Sequence, residues 1–205
     1  MTKTMIGAAA LLAMTMTLGA GLSAQVGKSQ GVVDVNTAAE SDLATFPNTT
    51  PAIAKALVAK RPFASPKDLN AFLLSQGLTA EQAMAFYAKA FVHINLNTAT
   101  SEEILLVPGA GRRMTREFAE YRPWKTWAQF DREIGKYVGP EATAKLAQYA
   151  FIPMNANTAS DADLMTVPGA TQAWADKVKK GRPYKTAADL EKTAGQAQAR
   201  FFVVE

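Results

Sequence analysis

Three stretches of this chain can be laid over one another without a gap, and that self-similarity restricts the possible folds more than any composition figure. Val35-Asn36-Thr37-Ala38, Leu96-Asn97-Thr98-Ala99 and Ala156-Asn157-Thr158-Ala159 mark the three starts, 61 and 60 residues apart. Eleven residues after each asparagine stands a proline: Pro47, Pro108 or Pro168. Fourteen residues further comes an Arg-Pro-aromatic triplet: Arg61-Pro62-Phe63, Arg122-Pro123-Trp124 or Arg182-Pro183-Tyr184. Six residues past each aromatic sits Leu69, Phe130 or Leu190. A register held this far in three copies describes an array of one small unit rather than a single large core.

Local signals make each copy helical. Thr100 with Glu103 and Ser160 with Asp163 fit a capping box, while the first copy has Ala39 and lacks its hydroxyl half. A short helix carrying Leu43, Ile104 or Leu164 inward stops at the proline, which disfavours helix in the residue before it. A tight turn follows: Pro47-Asn48-Thr49-Thr50, Pro108-Gly109-Ala110-Gly111 or Pro168-Gly169-Ala170-Thr171. The second helix runs to the Arg-Pro pair, and Ser65, Thr126 or Thr186 starts the next one. A second turn, at Gly77–Glu81 and Tyr137–Glu141, separates two further helices in copies one and two. Copy three shrinks there, and Phe201-Phe202-Val203-Val204 is expected to cap the array. No segment alternates with a period of two, so the expected class is all-α. The expected units are 32–93, 94–153 and a shortened 154–205; two are full double hairpins, each able to close its own small core. The Arg-Pro-aromatic triplets are expected to seal the hairpins, with Phe63, Trp124 and Tyr184 in the core, and the repeated asparagines to hydrogen-bond at the helix starts.

The start of the chain bears on compartment. Lys3 is the only charge before Lys28, Ile6 to Leu18 is an apolar run, and small residues lead to Ala24-Gln25. This order describes a secretory signal peptide, 1–24, followed by a linker, 25–31; the alternative is an uncleaved membrane anchor. The expected location is therefore periplasmic or secreted. The chain has no cysteine and one histidine, His93, which excludes thiol chemistry and leaves too few ligands for a typical zinc site. At the junction of two copies, His93 is expected on the surface or in packing. Removing Lys3 from the 22 basic residues leaves 21 against 18 acidic ones, so any polyanion must be met by local clusters rather than by a strong overall field.

Such a cluster stands at the second turn. Two glycines, Gly109 and Gly111, let the backbone turn tightly and approach a ligand closely. The amides that open the following helix then point outward at its positive end. Arg112, Arg113 and Arg116 lie on that helix's first turns. The third turn keeps Gly169 and Ala170 but has Thr171 for the second glycine, with Lys177, Lys179, Lys180 and Arg182 farther along. The first turn keeps neither glycine and has Lys55, Lys60 and Arg61 on its helix.

Leu106-Val107-Pro108-Gly109-Ala110-Gly111 resembles the hairpin of the helix-hairpin-helix family. With Asn97-Thr98-Ala99-Thr100-Ser101-Glu102-Glu103-Ile104 before it, the copy resembles the ComEA-type competence DNA receptors. That resemblance covers nearly all of 32–205, although family members usually carry one such unit. It implies sequence-independent binding of double-stranded DNA through phosphate contacts by Gly109, Ala110, Gly111, Arg112, Arg113 and Arg116, helped by Gly169, Ala170, Thr171 and Lys177. No cofactor, metal or small-molecule substrate is expected. Some relatives are glycosylases, and Asp176 and Lys177 follow the third turn. Nothing in the chain resembles the base-binding domain of those enzymes, so a non-enzyme is expected. The rival reading is a scaffold that binds a periplasmic or membrane protein partner, its hairpins no longer holding DNA. Glu102, Glu103, Glu117 and Glu120 would weaken the field at the second hairpin.

Overall fold

The structure is a computed structural model describing residues 31–205. The signal-peptide reading lies outside the described residues, as does all of the linker but Gly31.

Among the described residues there are eleven helices and six two-residue strands. The first stretch holds β1 (Val33–Asp34), α1 (Glu40–Leu43), α2 (Pro51–Lys60), α3 (Pro66–Ser75), α4 (Ala80–Tyr87) and β2 (Ala90–Phe91). The second holds β3 (Ile94–Asn95), α5 (Ser101–Leu105), α6 (Arg112–Glu120), α7 (Trp127–Ala147) and β4 (Ala150–Phe151). The third holds β5 (Met154–Asn155), α8 (Asp161–Leu164), α9 (Gln172–Lys180), α10 (Ala187–Ala194), α11 (Gln196–Ala199) and β6 (Phe202–Val203).

The strands correct the all-α expectation. They form three parallel pairs, β1 with β2, β3 with β4 and β5 with β6, so each stretch ends beside its own beginning. Phe202 and Val203 accordingly close the last stretch by pairing with Met154 and Asn155, and Phe201 is fully buried. A strand of two residues is too short to leave an alternating pattern in the sequence.

Caps account for most helix starts. Thr100 and Ser160 form full capping boxes with Glu103 and Asp163, as do Ser65 with Asp68 and Thr79 with Gln82, while Ala39 makes no side-chain cap. α7 is two helices meeting at Gly139, where a φ of 77° breaks the ladder just before Pro140.

The repeated asparagines act over long range rather than at the helix starts. Asn97 Nδ2 donates to the Trp124 carbonyl (3.0 Å), and the Trp124 amide donates to Asn97 Oδ1 (2.6 Å). Asn36 pairs in the same way with Phe63, and Asn157 with Tyr184. Beside them the arginines of the triplets hold backbone: Arg122 Nε and Nη2 donate to Leu96 and Ala99, Arg182 to Ala156 and Ala159, and Arg61 Nη2 to Ala38. Trp124, Phe63 and Tyr184 are buried, as their expected sealing role requires.

The cores are not one per stretch. Buried apolar side chains from Val32 to Ile152 form one continuous cluster, bridged where Phe91 meets Tyr149 at 5.4 Å. A second cluster joins Phe151, at the end of the second stretch, to buried side chains of the third from Met154 to Phe202. His93 is fully buried, with Nδ1 2.9 Å from Asp34 Oδ2, so the surface alternative is excluded. Arg200, from the last stretch, reaches the same carboxylate at 3.8 Å and donates to the His93 carbonyl. Burial alone would raise the Asp34 pKa, but the His93 hydrogen bond and charge, with Arg200, outweigh it and hold the carboxyl below its ordinary range.

Candidate nucleic-acid interface

The second hairpin is built from α5, the turn Val107–Gly111 and α6. The turn forms because Pro108 stops α5 and Gly109 takes a φ of 85°, a conformation that L side chains disfavour. Gly111 then caps α6 from an extended conformation with no side chain to offer. The directions a Cβ would take at Gly109 and Gly111 are both empty within 4 Å. Among the described residues, no protein acceptor receives the amides of Gly109, Gly111, Arg112 or Arg113, whereas the Met114 amide donates to Gly111 O. Exposed amides and a positive helix end therefore meet on an open surface, an arrangement suited to a phosphate oxygen.

Ala110 plays a different part from the one expected. It is buried, and its amide closes the turn on Val107 O at 2.9 Å, so it shapes the site without facing it. Ala170 repeats that bond to Val167 O.

The three arginines differ. Arg112 is exposed and makes no ion pair among the described residues. Arg116 Nη2 lies 3.0 Å from Glu117 Oε1, and Arg113 Nε lies 3.9 Å from the same oxygen. The Arg113 guanidinium also sits 4.4 Å above the Tyr137 ring, whose hydroxyl is 2.8 Å from that of Tyr121. Both Arg113 and Arg116 keep more than half of their side-chain surface exposed. Two neighbouring carboxylates are already engaged: Glu102 pairs with Lys67, and Glu103 accepts from the Thr100 amide in the capping box.

The third hairpin keeps the geometry and loses the access. Gly169 has a φ of 74°, but a Cβ there would meet Thr37 of the first stretch at 3.0 Å. Thr171 caps α9 by accepting from the Trp174 amide, and its own Cβ stands where the second hairpin has only hydrogen. Lys177 and Lys180 are exposed, Lys179 is bound to Asp161 and Asp176, and Arg182 is taken up by backbone carbonyls. In the first hairpin Asn48 takes the left-handed position at a φ of 61°, Thr50 caps α2, and Lys55 and Lys60 are exposed. Arg61 is held by Ala38 O and is no candidate for binding a ligand.

The structure thus brings Gly109, Gly111, Arg112, Arg113 and Arg116 together on one surface and sets Gly169, Ala170, Thr171 and Lys177 apart on another hairpin. Sequence reasoning missed the burial of Glu117, which is 2 % exposed. The signal was present, since Met114, Glu117 and Phe118 share one helical face. Among the described residues no cluster of His, Asp and Glu could hold a metal ion, and no helix is long and apolar enough to cross a membrane.

No curated protein and no solved structure matches this chain. A family model does match, over the first hairpin rather than the better-formed second one: residues 28–84 are similar to the helix-hairpin-helix motif, one that commonly binds nucleic acid.

Proposed function

We propose that the chain is an exported, non-enzymatic binder of double-stranded DNA, arranged as three tandem helix-hairpin-helix units of the ComEA type. It grips the phosphate backbone through the second hairpin. The observation that carries this reading is the conjunction at 109–116 of four amides without a partner among the described residues, two open glycines and three arginines. Such a site reads the backbone and not base edges, so binding is steep in salt and indifferent to sequence. The third hairpin is a minor helper, because Thr37 and Thr171 crowd its turn.

The test is a titration of purified 25–205 with a fluorescent random-sequence duplex at several salt concentrations, beside an Arg112→Ala/Arg113→Ala/Arg116→Ala variant. The salt slope should fall by about 0.9 for every phosphate that no longer has a cationic partner, so the variant should bind more weakly and with a flatter dependence. A folded protein that ignores duplex at low salt would sink the reading. The crowded third hairpin and the missing glycines of the first favour the rival in that case, a scaffold for a periplasmic or membrane protein partner. Export is tested separately by sequencing the N-terminus of the secreted product, which should begin at Gln25.

A further inference from the structure

The one carboxylate beneath the hairpin arginines stands out against the other two hairpins. Glu117 lies twenty residues after Asn97; the same offset gives Ala56 after Asn36 and Lys177 after Asn157. A glutamate is therefore not required by the shared architecture at this point, and it occurs on the one hairpin helix that carries three arginines. It is closed off from water although Arg113 and Arg116 around it are exposed. Oε1 accepts from Arg116 Nη2 and faces Arg113 Nε, while Oε2 is buried and has no partner at ordinary hydrogen-bond distance among the described residues; the Tyr137 hydroxyl lies near the carboxyl. An anion held this way is stable only while the cations stay beside it. The Arg116 hydrogen bond, aided by Tyr137 and Arg113, keeps the carboxyl below its ordinary range, so it is ionised at neutral pH.

We propose that Glu117 is an internal counter-anion that occupies Arg116, and in part Arg113, in the free protein and surrenders them to a phosphate. It thereby sets the strength of the second hairpin. This rests on the reading of that hairpin as a phosphate site. Glu117 is a positioning residue: it touches the arginines and not the ligand. Its effect is to remove about one unit of charge from the site at rest, so the hairpin binds a polyanion reversibly rather than tightly. Arg112 meets the phosphate first, and Arg116 follows when phosphate displaces Glu117 as its partner.

The experiment compares wild type, Glu117→Gln, Arg116→Ala and the double variant, each shown by circular dichroism to be folded. The amide is isosteric, and its oxygen can still accept from Arg116, so the helix is preserved. In duplex titrations Glu117→Gln should bind about fivefold tighter at low salt, as expected for losing one adjacent like charge near the ligand. Its salt slope should steepen by about 0.9. Arg116→Ala should cost more affinity in the Glu117→Gln background than in the wild type, because only there is the Arg116 charge not already neutralised by a carboxylate. Equal or weaker binding by a folded Glu117→Gln protein, or additive losses in the cycle, would overturn the proposal. If no variant binds duplex, the DNA reading fails, and inorganic pyrophosphate then isolates Glu117. A larger pyrophosphate-induced rise in melting temperature for Glu117→Gln supports the counter-anion role, and an equal rise overturns it.

Discussion

Replacing Asn36, Asn97 and Asn157 one at a time by alanine removes the same pair of hydrogen bonds from three places that differ in access to water. Each truncation strands one amide and one carbonyl, those of Phe63, Trp124 or Tyr184. A buried backbone group left unpaired costs about 1–3 kcal/mol, and much less where water can replace the partner. Asn36 is 8 % exposed, and Phe63 beside it is buried, so both groups are stranded and the loss should be about 3–5 kcal/mol. Asn97 is half-buried and borders an open groove with Pro123, Lys125 and Pro153, so water enters and about 1–2 kcal/mol is lost. Asn157 also donates to the carbonyl of Glu205 at the exposed chain end (3.1 Å), a group that water can serve, so its loss should match that of Asn97. For a chain of this size each kcal/mol moves the melting temperature by about 2–4 °C. Asn36→Ala should therefore melt about 10 °C low, and the other two about 3–6 °C low. Thermal melts followed by circular dichroism, with urea titrations for free energies, measure this directly. Equal losses at all three sites would refute the role given to water, and a loss below about 1 kcal/mol at Asn36 would refute the role given to the hydrogen bonds.

Four more expectations concern single positions. Asp34 stands where the other stretches have Asn95 and Asn155, so Asp34→Asn keeps the bond to the Asn36 amide, but it removes the charge facing Arg200 and puts an NH2 group where Oδ2 accepts from the His93 amide and faces His93 Nδ1. It should cost up to about 3 kcal/mol at neutral pH. Because the folded Asp34 pKa is lowered, its contribution is present above the ordinary value of 3.8 and is lost as pH falls through the folded value. Urea melts from about pH 7 to about pH 2 should show that acid loss in the wild type and a smaller one in Asp34→Asn; parallel curves would contradict it. Gly109→Ala places a methyl group on a φ of 85° and should cost about 1–2 kcal/mol as well as duplex affinity. Gly111→Ala, on extended backbone, should lower affinity in the titration with little change in melting temperature. At Gly181 an added Cβ would come within 2.4 Å of the Tyr184 hydroxyl, which donates to Val178 O at 2.7 Å. Gly181→Ala should destabilise by about 1–3 kcal/mol, and Tyr184→Phe in the same chain should restore part of it; no rescue would mean that the hydroxyl is not the obstacle.

Whatever neighbouring residues decide among themselves is legible in the amino-acid order of this protein. The proline and glycine of Pro108-Gly109 place a turn by backbone sterics, and Thr100 with Glu103 places a helix start by reciprocal hydrogen bonds, all within a few residues. The repeated spacing carries those local statements to the other two hairpins, including the first, where Asn48 stands in for glycine. The arginines of the second hairpin are legible for the same reason, since a helix start puts adjacent side chains around one turn. Which of these residues are available to a ligand is settled by packing alone. Asn97 meets Trp124 across 27 residues, Asp34 meets His93 across 59, and Arg200 meets His93 across 107. Thr37 comes against Gly169 because the third stretch packs on the first, and Glu117 is sealed because its helix turns that face inward. Meetings between distant parts of a chain depend on how whole elements pack, and no short-range spacing encodes that.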